Sequence, residues 1–164
     1  MKQSILNLHR LLRPLETRPD FVRAKVETCA AGWFVRARFR REDGSASPWI
    51  ISHPVKSGDG WVLRVFALCV ERAPSSIDIE RLCAALNQRL RVGRFSSTDH
   101  SHGSISYLVQ HFIDEPGPAP SVLNRLIDEA VAATWLCERV TQRLMERSEE
   151  SLFGKMLAVN PALN

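Results

Sequence analysis

The sequence predicts an α+β protein, an antiparallel β-sheet with flanking helices, and two kinds of pattern indicate it. Residues 21–29 and 33–41 alternate apolar and charged side chains, which is typical of strands with one face in water. Residues 75–90 and 121–144 repeat apolar side chains every three or four positions, which is the period of an α-helix. We therefore expect a helix, about four strands, a second helix, a two-stranded continuation and a long C-terminal helix.

Length and composition indicate a single cytoplasmic domain. At 164 residues the chain is long enough to bury a core without disulfides or metals. We assign residues 1–146 to this domain and residues 147–164, which are polar and weakly amphipathic, to a C-terminal tail. No segment has the apolar run of a signal peptide or a membrane span. The cysteines include no C-x-x-C pair, which favours buried thiols in a reducing compartment.

The N-terminal segment predicts a short amphipathic helix over residues 2–13, which Pro14 ends. Its apolar side consists of Ile5, Leu8, Leu12 and Leu15. We expect this side to pack on the sheet, because short helices gain most of their stability from burial. The alternative is a mobile arm that docks on a partner.

The two alternating segments predict a β-hairpin joined through Ala30 and Ala31. Its apolar pairs are Val26 with Val35, Ala24 with Ala37, and Val22 with Phe39. The same register sets Lys25 opposite Arg36 and Arg23 opposite Arg38. Like charges in directly opposed positions repel.

The basic face of this hairpin is the first candidate site. Its residues are Arg23, Lys25, Arg36, Arg38 and Arg40. One interpretation is a solvated outer face whose repulsion is screened by salt and nearby acidic residues. The other is a patch for an acidic polypeptide or a nucleic acid, which the net charge of +4 permits.

Residues 47–52 predict a short strand with Trp49 and Ile51 on one face, and Pro48 places it near a sheet edge. A loop is expected over residues 53–60.

Residues 61–71 predict a strand that is apolar on both faces, so both faces need a cover. The cover of the second face is either a partner or an element of this chain.

Residues 75–90 predict a helix with Ser75 or Ser76 as its cap and Gly93 as its end. Its apolar face consists of Ile79, Leu82, Cys83, Leu86 and Leu90. The residues over 94–113 predict a strand, a turn and a returning strand.

This stretch resembles a segment of the YbjN-like bacterial proteins. The sequence IERLCAALNQRL, followed by VGRF, is similar to the helix and the strand that follows it in that family. The resemblance covers residues 61–144 in its apolar spacing. The family is similar in fold to type III secretion chaperones, so the resemblance implies the element order α-β-β-β-β-α-β-β-α and a polypeptide-binding module.

The resemblance also implies a homodimer, formed through the helix over 75–90 or the strand over 61–71. The implied dimer or client interface consists of Trp61, Leu63, Val65, Leu82, Leu86 and Leu90.

The last long helix is expected to follow a proline-rich break at 116–120, with Ser121 as its cap. Its apolar face consists of Leu123, Leu126, Ala130, Ala133, Cys137, Val140 and Leu144. The small residues in the middle allow a close approach to a sheet.

The sequence offers little catalytic chemistry. It has no phosphate-binding glycine motif and no nucleophile elbow. His100 and His102 beside Asp99 form the only local cluster of metal-ligand residues, and a site would need a third ligand such as His111. The cysteines lie among apolar residues that should raise thiol pKa values. We expect no enzyme, no cofactor and no metal.

These patterns predict a non-enzymatic, chaperone-like or regulatory protein that holds a polypeptide client by an apolar surface with a basic rim. The alternative is a basic regulator that binds RNA or DNA through the arginine strands. In that case Phe34 is the aromatic residue best placed for base stacking.

Overall fold

The computed structural model describes residues 2–30, 32–73, 77–99, 103–115 and 117–159. Along the chain the elements are α1 (Lys2–Glu16), β1 (Phe21–Cys29), β2 (Gly32–Phe39), β3 (Ile50–Ser57), β4 (Gly60–Val70), α2 (Ile79–Asn87), β5 (Arg94–Asp99), β6 (Ser104–Ile113) and α3 (Pro120–Val159). The strands form one antiparallel sheet in the order β1-β2-β3-β4-β6-β5. The predicted α+β class is confirmed.

The helices lie on one side of the sheet, which we call the inner face, and the opposite side is the outer face. Helix α3 packs on β3, β4 and β6, α1 packs on β1, β2 and α3, and α2 packs on β5. The core between the layers includes Leu15, Val35, Phe39, Leu63, Val65, Leu86, Phe95, Tyr107, Leu123 and Ile127. This arrangement places the apolar side of each strand against the helices.

The hairpin of β1 and β2 has the predicted register over most of its length. Lys25 lies opposite Arg36 and Arg23 opposite Arg38, as expected. At the open end the prediction was wrong, because Phe21 rather than Val22 pairs with Phe39. A bulge between Phe21 and Arg23 shifts the register, and a bulge adds one residue that no alternation pattern reveals.

Strand β3 differs from the prediction. It begins at Ile50, continues through the segment expected to be a loop, and lies inside the sheet rather than near an edge. Pro54 is tolerated there because the ladder with β2 ends at Ser52, so no neighbour on that side requires a proline N–H.

Helix α1 packs on the sheet as expected, but it continues past Pro14 to Glu16. Proline in the last turn removes little of the helical ladder, and the extension lets Leu15 reach full burial. Leu11 is also fully buried, whereas Leu8 and Leu12 only border the core. The side chain of Ile5 lies outside the described residues.

Helix α2 is shorter than predicted, beginning at Ile79 and ending at Asn87. Asp78 is the N-cap, and its carboxylate accepts a hydrogen bond from the Arg81 N–H at 3.0 Å. Ser75 and Ser76 lie outside the described residues. Gly93 has a φ of +74°, but it precedes β5 instead of ending the helix.

The end of α2 is fastened to β5 by a side chain of the IERLCAALNQRL segment. The Asn87 amide donates to the Phe95 carbonyl at 3.0 Å, and its oxygen accepts from the Phe95 N–H at 2.6 Å. The Asn87 side chain thereby satisfies the N–H and the C=O of Phe95, as a neighbouring strand would. Helix α2 ends at this residue.

Helix α3 begins at Pro120, so Ser121 lies inside the first turn instead of capping it. Proline suits that position because its missing N–H would have no helical partner there. The predicted apolar face is buried from Leu123 to Cys137. Val140 is half-buried and Leu144 has 37% of its surface exposed, and the helix continues through the expected tail to Val159.

Gly93 supports a stability prediction, because a Cβ built there would lie 2.5 Å from Cζ of Tyr107. Gly93→Ala should lower the free energy of unfolding by about 2–4 kcal/mol, from the left-handed backbone and the clash together. Gly44→Ala is the matched control: its φ is +81° and its Cβ would meet nothing within 4 Å. The free energy of unfolding of this variant, measured by urea denaturation, should fall by only about 1–2 kcal/mol. Equal losses would contradict the predicted packing of Tyr107.

Tyr107 supports a second prediction, since it is the only tyrosine in the sequence. Its hydroxyl donates to the Val92 carbonyl at 3.1 Å, and burial raises its pKa to about 12. The unfolded side chain ionises near pH 10, so stability should fall as the pH rises from about 10 to 12. Tyrosinate absorbance of the folded protein should titrate near pH 12, and in urea near pH 10. Coincident titration curves for the folded and the unfolded protein would contradict the burial of Tyr107.

Candidate binding surface

One row of side chains crosses the whole outer face. From β1 to β5 the paired residues are Lys25, Arg36, Ile51, Phe66, Leu108 and Arg94. Residues paired across antiparallel strands point to the same face, so the row is basic at both ends and apolar in the middle. The described helices pack against the buried core on the opposite, inner face.

Trp49, just before β3, is the centre of the basic end. Its ring centroid lies 4.9 Å from the guanidinium carbon of Arg36, 5.0 Å from that of Arg23 and 5.6 Å from that of Arg38. The Lys25 amine lies 6.0 Å away. We call these five residues the tryptophan cluster. Each cation over an exposed indole gains about 0.5–1 kcal/mol, which offsets part of the repulsion between the cations.

The tryptophan cluster has more positive than negative charge. Arg36 donates to the Glu27 carboxylate at 2.9 Å, and Arg38 Nε donates to the Ser47 carbonyl at 2.8 Å. Within the described part of the chain, neither Arg23 nor Lys25 has an acidic partner. Among the described residues Glu27 is the one acid paired with a cation of the cluster, so most N–H donors of the four cations are available to an anion.

The middle of the outer face is largely apolar, with Arg64 of β4 and Gln110 of β6 as its exposed polar residues. Ile51, Phe66, Leu68 and Leu108 are half-buried, and the side chain of Phe112 is 81% exposed. A cavity of about 500 Å³ lies beside Trp49 and is lined by Arg36, Arg38, Phe66 and Leu68, with Glu71 and Glu138 also at its wall. Trp49 and Ile51 share this face, as the sequence predicted, but nothing in the sequence indicated that Trp49 would gather the cations.

Arg40 is separated from the other predicted basic residues. It lines a cavity of about 590 Å³ together with Asp20, Asp128 and Trp135. This cavity lies beside α3, where acidic residues already balance the positive charge. The basic surface therefore consists of Arg23, Lys25, Arg36 and Arg38 without Arg40.

Arg41 is an ionic residue that sequence reasoning missed. Its side chain is 8% exposed, and it donates to both carboxylate oxygens of Glu138 at 2.7 and 2.9 Å. It also donates to the Thr134 hydroxyl at 3.2 Å. This forked pair attaches the end of the β1–β2 hairpin to α3. Nothing in the sequence distinguishes Arg41 from the neighbouring arginines, so its ion pair with α3 was not predictable.

The six apolar residues of the predicted dimer or client interface fall into two groups. Leu63, Val65, Leu82 and Leu86 are buried in this chain's own core, on the inner side of the sheet. Trp61 and Leu90 are half-buried. Strand β4 is also paired on both sides, with β3 and β6. Its outer face is the part that remains accessible.

The described cysteine thiols, those of Cys69, Cys83 and Cys137, are free and buried. A hydrogen bond with the Cys137 thiol, together with burial, raises the pKa of Cys69, and burial raises that of Cys83. Cys137 departs from the expectation, because its hydrogen bond with Cys69 lowers its pKa. Cys137 is fully buried in the core. The side chain of Cys29 lies outside the described residues.

Among the described residues, no three His, Cys, Asp or Glu side chains are grouped so that they could hold a metal ion. The predicted cluster of His100 and His102 lies outside those residues. No helix in the described part of the chain is long and apolar enough to span a membrane.

Comparison with known proteins adds nothing to this description. No protein-family model matches the sequence, and no curated protein is detectably similar to it.

The charges around Trp49 lead us to expect that loss of Glu27 destabilises the protein by an amount that depends on salt. Glu27→Gln removes the carboxylate that pairs with Arg36, so the free energy of unfolding should fall by about 0.5–1 kcal/mol at low salt. The loss should shrink at about 0.5 M salt, where exposed charges are screened. Urea denaturation at both salt concentrations measures it, with Glu42→Gln in an exposed turn as the control. An identical loss in both variants would contradict repulsion within the cluster.

Proposed function

We propose that this protein is a non-enzymatic binding protein that holds an acidic and apolar polypeptide segment on its outer face. The observation that carries the proposal is the row from Lys25 to Arg94, which is open, apolar in the middle and basic at its ends. A bound segment would place apolar side chains on Ile51, Phe66 and Leu108 and acidic side chains against the tryptophan cluster.

The energetics favour such a partner. Burying apolar surface gains about 25 cal/mol per Å², and half-buried Phe66 and Leu108 provide that surface without any change of fold. Carboxylates match guanidinium forks in geometry. The apolar surface gives affinity, and the cations select a partner of negative charge.

The element order supports a chaperone-like role in this proposal. It is the order implied by the resemblance to YbjN-like proteins and type III secretion chaperones. The outer face is the main support for the proposal. A cytoplasmic location and a homodimer belong to the same proposal.

A basic regulator that binds single-stranded nucleic acid is the second candidate. The feature that favours it is the combination of stacked arginines around Trp49 with the exposed ring of Phe112. Aromatic rings beside a basic groove stack on bases and contact phosphates. The ring centroids of Phe34 and His53 lie 6.1 Å apart on the same face, and these two rings would extend the stacking surface for bases.

The two candidates can be separated by fluorescence anisotropy with a peptide that interleaves glutamate with leucine and with a single-stranded oligouridine. The double variant Arg23→Gln, Lys25→Gln should weaken peptide binding about tenfold, or about 1.4 kcal/mol. Neither residue has an acidic partner in the described structure, so the variant should fold normally. Peptide affinity should fall mildly with salt, whereas oligouridine affinity should fall steeply.

The matched control is the double variant Arg125→Gln, Arg139→Gln, which removes the same charge from exposed positions of α3. It should bind the peptide like the unchanged protein. Peptide affinity that is equal in both double variants would contradict the proposal. Steeply salt-dependent oligouridine binding without peptide binding would favour the second candidate.

A further inference from the structure

A second basic surface lies on the helical side of the molecule, between α2 and α3. The groove has a volume of about 290 Å³. Its floor contains Leu82 and Leu86 from α2 and Val140 and Leu144 from α3. Because both helices rest on the inner face, this groove is on the opposite side of the sheet from the tryptophan cluster.

The rim of the groove is positively charged. It consists of Arg89, Arg143 and Arg147, and no acidic residue of the described chain lines it. Arg143 and Arg147 are one helical turn apart and share a face of α3. Glu146, the nearest acid in sequence, accepts a hydrogen bond from Gln142 at 3.0 Å on the neighbouring face.

The apolar floor is partly accessible in the isolated chain. Leu144 is 37% exposed and Val140 is half-buried, although both continue the face of α3 that packs on the sheet. The sheet no longer covers this part of α3. An occupant that buries Leu144 would therefore extend the core outward without displacing any part of it.

We infer that this groove binds an acidic amphipathic helix of a partner protein, so that the molecule carries two separate docking surfaces. A helix satisfies its own backbone hydrogen bonds, whereas a strand laid over two helices would leave its backbone groups unpaired. Apolar residues at one helical face meet Val140 and Leu144, and glutamates beside that face meet the arginine rim.

The charges also argue against a second copy of this chain as the occupant. A symmetric contact between two grooves would set Arg143 and Arg147 against the same residues of the other copy. Arginines without intervening acids repel when they are brought together in a contact that excludes water. The partner that fits is therefore an acidic one.

A labelled helical peptide with leucines on one face and glutamates on the rest tests this inference by anisotropy at physiological salt. The double variant Arg143→Glu, Arg147→Glu should weaken binding at least tenfold. The double variant Arg125→Glu, Arg139→Glu makes the same charge change elsewhere on α3 and should change affinity less than twofold. Steering by distant charges is small at this salt, because the Debye length is about 8 Å.

Two further variants keep the test decisive. Leu144→Ser, at an exposed position, should weaken binding of the helical peptide several-fold. Its circular dichroism spectrum should match that of the unchanged protein. The outer-face variant Arg23→Gln, Lys25→Gln should bind the helical peptide normally, so failure of the outer-face proposal would leave this result intact. No saturable binding, or equal losses in the two double glutamate variants, would overturn the inference.

Discussion

The packing of α3 across β4 is the contact on which the rest of this structure depends. Ala130 and Ala133 let the helix approach the sheet closely, and Val65 and Ala67 beneath it have no exposed surface. A close helix on one face leaves the alternate residues of the same strand facing away. The half-burial of Phe66 is a direct consequence, so the open outer face follows from how the core is built.

An apolar sheet face in water normally invites aggregation, and the tryptophan cluster limits this risk. Long arginine side chains cover apolar surface with their stems while their charged ends remain in water. Three guanidinium groups around Trp49 also place the same sign of charge along one side of the sheet, which opposes contact between two copies. The features that protect the face in the free protein are those that would attract an acidic ligand.

Much of the fold followed from local patterns, and the differences have identifiable physical causes. The pairing of Lys25 with Arg36 was predictable because alternation fixes which residues share a face. The bulge near Val22 and the passage of β3 through Pro54 depend on where a neighbouring ladder ends, which is tertiary information. The candidate site was predictable as a set of cations, but its centre at Trp49 was not, since that residue comes from another segment of the chain.

The net charge of +4 does not show where on the surface the charge lies. Asp20 and Asp128 pair with Arg18, and Glu138 pairs with Arg41, so these acids are used to fasten the hairpin and α1 to α3. Acids committed to internal pairs do not reduce the charge of distant surfaces beyond a Debye length. Cations without an acidic partner among the described residues lie both at the tryptophan cluster and at the rim of the α2–α3 groove. A partner meets two strongly basic surfaces on a protein whose overall charge is modest.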